Sequence, residues 1–153
     1  MYGISWDEFE RLSVDLAKNI QESNQKYDQI VCVARGGLLL GRLLSEILDL
    51  PLGIISAKCD DNKYIVKPEV SSFKEIQGNI LLVDDILEET INIIADHLFK
   101  RYKNIKKIDC AGIFYRQKKD TQFVPNFYIN KVIEKIWIDF PYQTKSLKKH
   151  ADI

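Results

Sequence analysis

The sequence predicts an α/β domain: a mostly parallel sheet covered by helices on both faces. Three observations predict it. Short continuous apolar runs, "QIVCVA" and "GNILLVDD" among them, suit strands buried on both sides. Segments with apolar residues at helical spacing lie between such runs. The strict alternation of the two is the pattern of βα units. At 153 residues the chain is read as one domain, 1–153, long enough to bury a real core.

"SWDEFERLSVDLAKNI" opens as helix. Ser5 and Glu8 have capping-box spacing, and Phe9, Leu12, Leu16 and Ile20 form one apolar stripe. After polar "QESNQKYD" comes the strand "QIVCVA", then "RGG" and the leucine-rich helix "LLLGRLLSEIL". "DLPLGIIS" supplies a turn and a second strand. Residues 57 to 75, "AKCDDNKYIVKPEVSSFKE", keep no period and carry many charges, so they are predicted as a long loop. "GNILLVDD" is the third strand, and "LEETINIIADHLFKRY" is its helix, with Ile91, Ile94, Leu98 and Tyr102 on one side. "NIKKIDCAGIFYR" gives a further strand, followed by the short candidates "NFYIN" and "KIWIDF".

Composition narrows the function classes. A 46% hydrophobic and 29% charged chain is that of a soluble globular protein. Lys+Arg and Asp+Glu both total 22, and a net charge of zero argues against a nucleic-acid binder. No apolar run reaches spanning length and the polar start has no signal-peptide core, so no membrane partner and a cytoplasmic location are expected. Cys32, Cys59 and Cys110 form no CxxC, and neither His97 nor His150 has a zinc-ligand partner.

Ligands of parallel sheets bind at the carboxyl ends of the strands. Three loops follow strands directly here: Arg35-Gly36-Gly37, the 57–75 segment, and Asp84 onward. They are expected to gather into one site. Glycines allow unusual backbone angles that turn N–H groups toward an anion, and Arg35 adds a forked donor. A plain strand-to-helix turn would also use glycine. Asp84 and Asp85 are the carboxylates a hard cation prefers. Helix capping competes for the same residues, with Asp85 as N-cap and Glu88 completing a D-x-x-E box.

In order and spacing these segments resemble a type I phosphoribosyltransferase, most closely the short xanthine–guanine/hypoxanthine branch. "ISWDEFERLSVDLA" resembles its opening helix, "VARGGLLLGRLLSEIL" its pyrophosphate loop, and "ILLVDD" the start of its phosphoribosyl-diphosphate (PRPP) motif. "IFYR" and "WIDFPYQ" resemble its purine-contacting segments. The resemblance implies the type I fold, with a twisted sheet and the 57–75 segment as a mobile hood. It implies purine salvage: transfer of 5-phosphoribosyl from PRPP to guanine, xanthine or hypoxanthine, with magnesium (Mg2+) bound and pyrophosphate released. A homodimer or homotetramer is implied as well.

Residue by residue, the resemblance assigns Arg35, Gly36 and Gly37 to pyrophosphate. It assigns Asp84 and Asp85 to the ribose hydroxyls and metal, and Glu88 to proton transfer near the base. Arg116, where the family usually has lysine, Trp137 as a stacking ring, Ile138 and Asp139 would hold the purine. A core role beside Phe140 is the alternative for Trp137. Lys58, Lys63 and Lys67 either reach the diphosphate or only keep the loop soluble.

One motif departs from the family. Thr/Ser-Gly-x-Thr/Ser, which grips the 5′-phosphate, is replaced by Glu89, Thr90, Ile91 and Asn92, with Thr90 at the glycine; sliding the register by one puts Thr90 on the first Thr and Ile91 at the glycine. A β-branched residue where positive φ is needed is strained. A carboxylate about 5 Å from a phosphate repels it by roughly 3 kcal/mol at an effective dielectric of ~20. Thr90 and Asn92 keep hydrogen-bonding groups. The runner-up reading follows: a catalytically impaired homologue acting as a purine- or nucleotide-binding or regulatory module.

Overall fold

Helix α1 (Trp6–Glu22) starts where its cap places it: Ser5 Oγ accepts the Glu8 N–H at 3.1 Å. The reciprocal half of the capping box is missing, because the Glu8 carboxylate accepts from the Tyr2 hydroxyl instead, at 2.8 Å. Phe9, Leu12, Leu16 and Ile20 are all buried. The computed structural model describes residues 1–133 and 135–151.

Strand β2 (Gln29–Ala34) and helix α2 (Leu38–Leu48) coincide with the predicted segments. The other strands are β1 (Tyr2–Gly3), β3 (Leu52–Asp60), β4 (Lys63–Val66), β5 (Gly78–Val83), β6 (Ile86–Leu87), β7 (Ile105–Gln117), β8 (Phe127–Ile133) and β9 (Ile138–Asp139). Helices α3 (Ile91–Arg101) and α4 (Thr144–Ala151) complete the described chain. The main sheet runs β4-β3-β2-β5-β7, with β6 beside the far end of β7 and β8 on β7's other edge. Every pairing is parallel except β3 with β4. Short β1 pairs with β9 in a separate ribbon.

Two apolar layers enclose the sheet. Leu16, Leu40, Leu44, Leu81 and Phe140 belong to the layer built with α1 and α2. Val33, Ile55, Leu82, Ile91, Ile94 and Leu98 belong to the layer under α3. Burial pushes the thiols of Cys32 and Cys110 up to about 12, which keeps both protonated.

Two elements differ from expectation. Residues 57–66 are not loop: they form the antiparallel β3–β4 hairpin, turning at Asp61 and Asn62, both with positive φ (45° and 62°). Asp and Asn tolerate that region, so "DDNK" is a hairpin signal that the surrounding charges obscured. The second difference is at the acids. The helix predicted from Leu87 begins at Ile91, because Ile86 and Leu87 form β6 against Phe114 and Tyr115. Asp85 therefore caps no helix. The N-cap is Thr90, without a side-chain cap bond.

Candidate active site

Asp84 and Asp85 interrupt what would otherwise be one strand. Val83 pairs with Ala111 and Ile86 with Phe114, so the register holds across the gap. Gly112 faces the interruption: a Cβ there would sit 2.7 Å from the Asp84 carbonyl oxygen. The Arg35-Gly36-Gly37 turn packs against the same point. A Cβ on Gly36 would meet Asp85 Oδ1 at 2.7 Å, and one on Gly37 the Val83 carbonyl at 2.6 Å. Clearance is thus what these glycines supply, since Gly37 has φ −81° and neither is among the positive-φ residues. The Ala34–Arg35 peptide is cis.

The acid pair is electrostatically tense. Asp84 Oδ1 accepts the Asp85 N–H at 2.9 Å. Asp85 Oδ1 accepts the Ile86 N–H at 2.8 Å, and its Oδ2 accepts from the Tyr142 hydroxyl at 3.0 Å. Burial first, then the charge of Asp85, raises the Asp84 pKa well above the usual carboxylate range. Burial also raises Asp85, against the lowering pull of its hydrogen bonds. Burial pushes the Tyr142 hydroxyl up as well, with the charge of Asp85 adding to it.

A cleft of about 660 Å³ lies beside the pair, lined by Arg35, Gly36, Asp85, Trp137, Asp139 and the 142–145 segment. Trp137 is 55% exposed and so is no core residue; Phe140, fully buried, fills that place. Asp139 accepts from Ser146 Oγ through Oδ2 at 2.9 Å, while its Oδ1 is buried without a partner among the described residues. Ile138 is buried. Tyr2 and Ile4 donate to the Trp137 and Asp139 carbonyls, so the Ile138 N–H and C=O face away from β1.

The remaining predicted residues lie outside this lining. Tyr64, from the hairpin and not foreseen in the sequence, has its hydroxyl pKa raised by burial and then by the charges of Asp84 and Glu88. Lys58 pairs with Asp60 at 3.1 Å, and Lys63 and Lys67 are exposed. Arg116 bridges two segments, donating to Glu88 Oε1 at 2.8 Å and to the Ile136 carbonyl at 2.9 Å. Its buried Nε has no partner among the described residues. Sequence reasoning missed both Tyr142 and this bridge. Arg116→Ala is expected to lower stability by about 1–3 kcal/mol, because it strands a part-buried Glu88 and a carbonyl. Arg116→Lys should recover only part, since one ammonium lacks the fork. Urea midpoints measure both.

The altered loop adopts no positive φ, so the strain expected of a replaced glycine does not arise. Ile91 opens α3 with its side chain buried. The amides of Ile91, Asn92 and Ile93 donate to the carbonyls of Glu88, Glu89 and Thr90, at 3.0 Å each. Those are the N–H groups a helix start would offer a phosphate. Glu89 and Asn92 are exposed, so Glu89's charge is better screened than a buried pair's.

Magnesium fits the acid pair. Among the described residues no group of three or more His, Cys, Asp or Glu is arranged for a metal. Magnesium needs only one or two carboxylates beside waters and substrate oxygens. Two neighbouring carboxyl groups, Asp85 buried and Asp84 half-buried, supply that.

A family model for the phosphoribosyl transferase domain matches residues 5–149, and the chain belongs to that family. A purine phosphoribosyltransferase from Pyrococcus horikoshii is 27% identical, with TM-score 0.75 and 92% of each chain covered. The xanthine-guanine-hypoxanthine phosphoribosyltransferase of Helicobacter pylori shares the fold at TM-score 0.82, with 24% identity over 99% of each chain. The orotate phosphoribosyltransferase of Caenorhabditis elegans is 28% identical over 108 residues, 69% of this chain. The chain spans 46% of that protein's length. Among the described residues, no helix is long and apolar enough to cross a membrane.

Proposed function

We propose that this protein is a purine phosphoribosyltransferase, moving the 5-phosphoribosyl group of PRPP to a 6-oxopurine and releasing pyrophosphate. The observation that carries the reading is the meeting of Arg35 and Gly36, Asp85 of the acid pair and exposed Trp137 at one cleft. Family membership supports the transfer, and the likeness to a purine enzyme supports the base.

Bound magnesium would neutralise the diphosphate as its charge grows in the leaving group. Arg35 would add a cation at the rim; the Gly37 and Leu38 amides of its turn already donate to the Val33 and Arg35 carbonyls, so the side chain carries the contact with the anion. Asp84 and Asp85 would take the ribose hydroxyls and stabilise positive charge on the sugar. Trp137 would stack on the base. Glu88, held by Arg116, would accept the proton from the base's imidazole edge.

A second reading is favoured by one observation: the amides of Ile91, Asn92 and Ile93 are already engaged. On that reading the chain binds a purine or nucleotide without turnover. Calorimetry with PRPP plus magnesium, GMP, IMP and orotate separates the two. PRPP binding followed by turnover with a purine supports the enzyme. Binding of a purine or purine nucleotide with no turnover from PRPP supports the binding module, and preference for orotate sinks the purine assignment. Trp137→Ala should weaken purine nucleotides roughly tenfold or more, the usual loss of one base stack.

A further inference from the structure

Three ligand-facing groups of the cleft are engaged by one short segment of the same chain. Tyr142 donates to Asp85 Oδ2 at 3.0 Å, and Ser146 donates to Asp139 Oδ2 at 2.9 Å. The Lys145 ammonium lies over the Trp137 ring, 5.7 Å from its centroid. These side chains come from residues 142–146, where the chain turns into α4. Beyond them the attachment is slight, since α4 has no buried residue among those described.

We propose that the side chains of residues 142–146 form an intramolecular latch on the wall of the cleft, whose contacts with Asp85, Trp137 and Asp139 must give way before a ligand takes those groups. The proposal rests on the ligand reading given above. An orienting role explains the contacts less well. Asp85 is already oriented through Oδ1 by the Ile86 N–H at 2.8 Å, so Tyr142 takes the oxygen that is left. Lys145 covers a ring face that a flat heterocycle would need. Asp139 is satisfied on one side by Ser146, while its other oxygen waits without a partner among the described residues.

Each contact is of a kind that a ligand can replace. A ribose hydroxyl or a cation can take the place of the Tyr142 hydroxyl on Asp85. A stacked base can take the place of the ammonium on Trp137. The fold does not depend on the polar contacts: the Tyr142 ring stacks on Phe140 at 5.1 Å and meets Phe9 edge-on at 5.3 Å. Phenylalanine would keep that packing. A latch closed in most molecules lowers the apparent affinity by the open fraction, so weakening it should tighten binding.

The test titrates the wild type, Tyr142→Phe, Ser146→Ala and the triple variant with Lys145→Met, using GMP and PRPP plus magnesium as probes. Amide hydrogen exchange across residues 144–151 is followed in each. Tyr142→Phe is expected to bind about three- to tenfold more tightly, the triple variant more tightly still. Exchange at 144–151 should quicken in the variants without ligand, and in the wild type on adding GMP. Ser146→Ala repeats the test without touching the aromatic packing. Wild-type binding with unchanged or weaker binding in the variants overturns the latch and leaves the ligand reading standing. Exchange that stays the same in every variant overturns it as well. No binding of either probe by any form overturns the ligand reading, and the latch falls with it.

Discussion

Asp84→Asn is expected to raise the melting temperature while removing magnesium-dependent PRPP binding. Burial and the neighbouring Asp85 charge hold the folded Asp84 pKa above its ordinary 3.8. Between those two values the folded state binds more protons than the unfolded one. Stability therefore falls as pH rises from 3.8 through the folded value, and stays lower above it. Below 3.8 both states are protonated and the penalty vanishes. Asparagine carries no such charge, so the variant should gain about 1–2 kcal/mol near neutral pH, several degrees in Tm. It should also lose most of the pH slope.

The same substitution removes one of the two carboxylates that the site offers a cation. A loss of several kcal/mol in that clamp weakens PRPP binding more than about a hundredfold. Calorimetric melting from pH 4 to 8 tests the first half, titration the second. A lower Tm for the variant at neutral pH would sink the electrostatic account. Unchanged PRPP binding would remove Asp84 from the site.

Ile91→Gly, which places glycine at the family's position in one of the two registers, is expected to break the protein rather than mend its phosphate loop. Ile91 is 3% exposed and packs in the layer under α3. Truncating a buried isoleucine to alanine costs about 2–5 kcal/mol, and glycine in a helix adds up to about 1. A total near 3–5 kcal/mol is a large share of a domain's stability. Thr90→Gly, in the other register, is half-buried and makes no cap bond, so about 1 kcal/mol is expected there. Urea midpoints and PRPP titrations of both variants test the contrast. If Ile91→Gly lost less than about 1 kcal/mol and gained PRPP affinity, this loop would be a damaged phosphate cradle. Its present geometry is instead that of a helix start that has taken over the cradle's amides.

Much of the fold was legible because local spacing encodes it. Ser5 and Glu8 are three residues apart and their cap forms within one turn. "QIVCVA" and "LLLGRLLSEIL" each carry their own period, and both elements occur over those residues. The acid pair and the glycine turn were legible for a similar reason: each is a short string at the end of a strand.

The hairpin was harder to see because its residues bury little, leaving no apolar face to read. Its turn signal, Asp61-Asn62, was present. The start of α3 was not readable locally at all. "DILEET" satisfies a capping box on paper, yet pairing of Ile86 and Leu87 with Phe114 and Tyr115 claims the first two apolar residues for the sheet.

By itself, then, the sequence determined the alternation of strands and helices, the apolar stripe of each main helix, and the residue types gathered at the strand ends. Tertiary structure alone decided how those residues are used. Asp85 meets Tyr142 across 57 positions, and Glu88 meets Arg116 across 28. Periodicity acts over one or two turns of chain. Partnerships this distant are set by which strands lie side by side and in what register, and only the packed sheet fixes that.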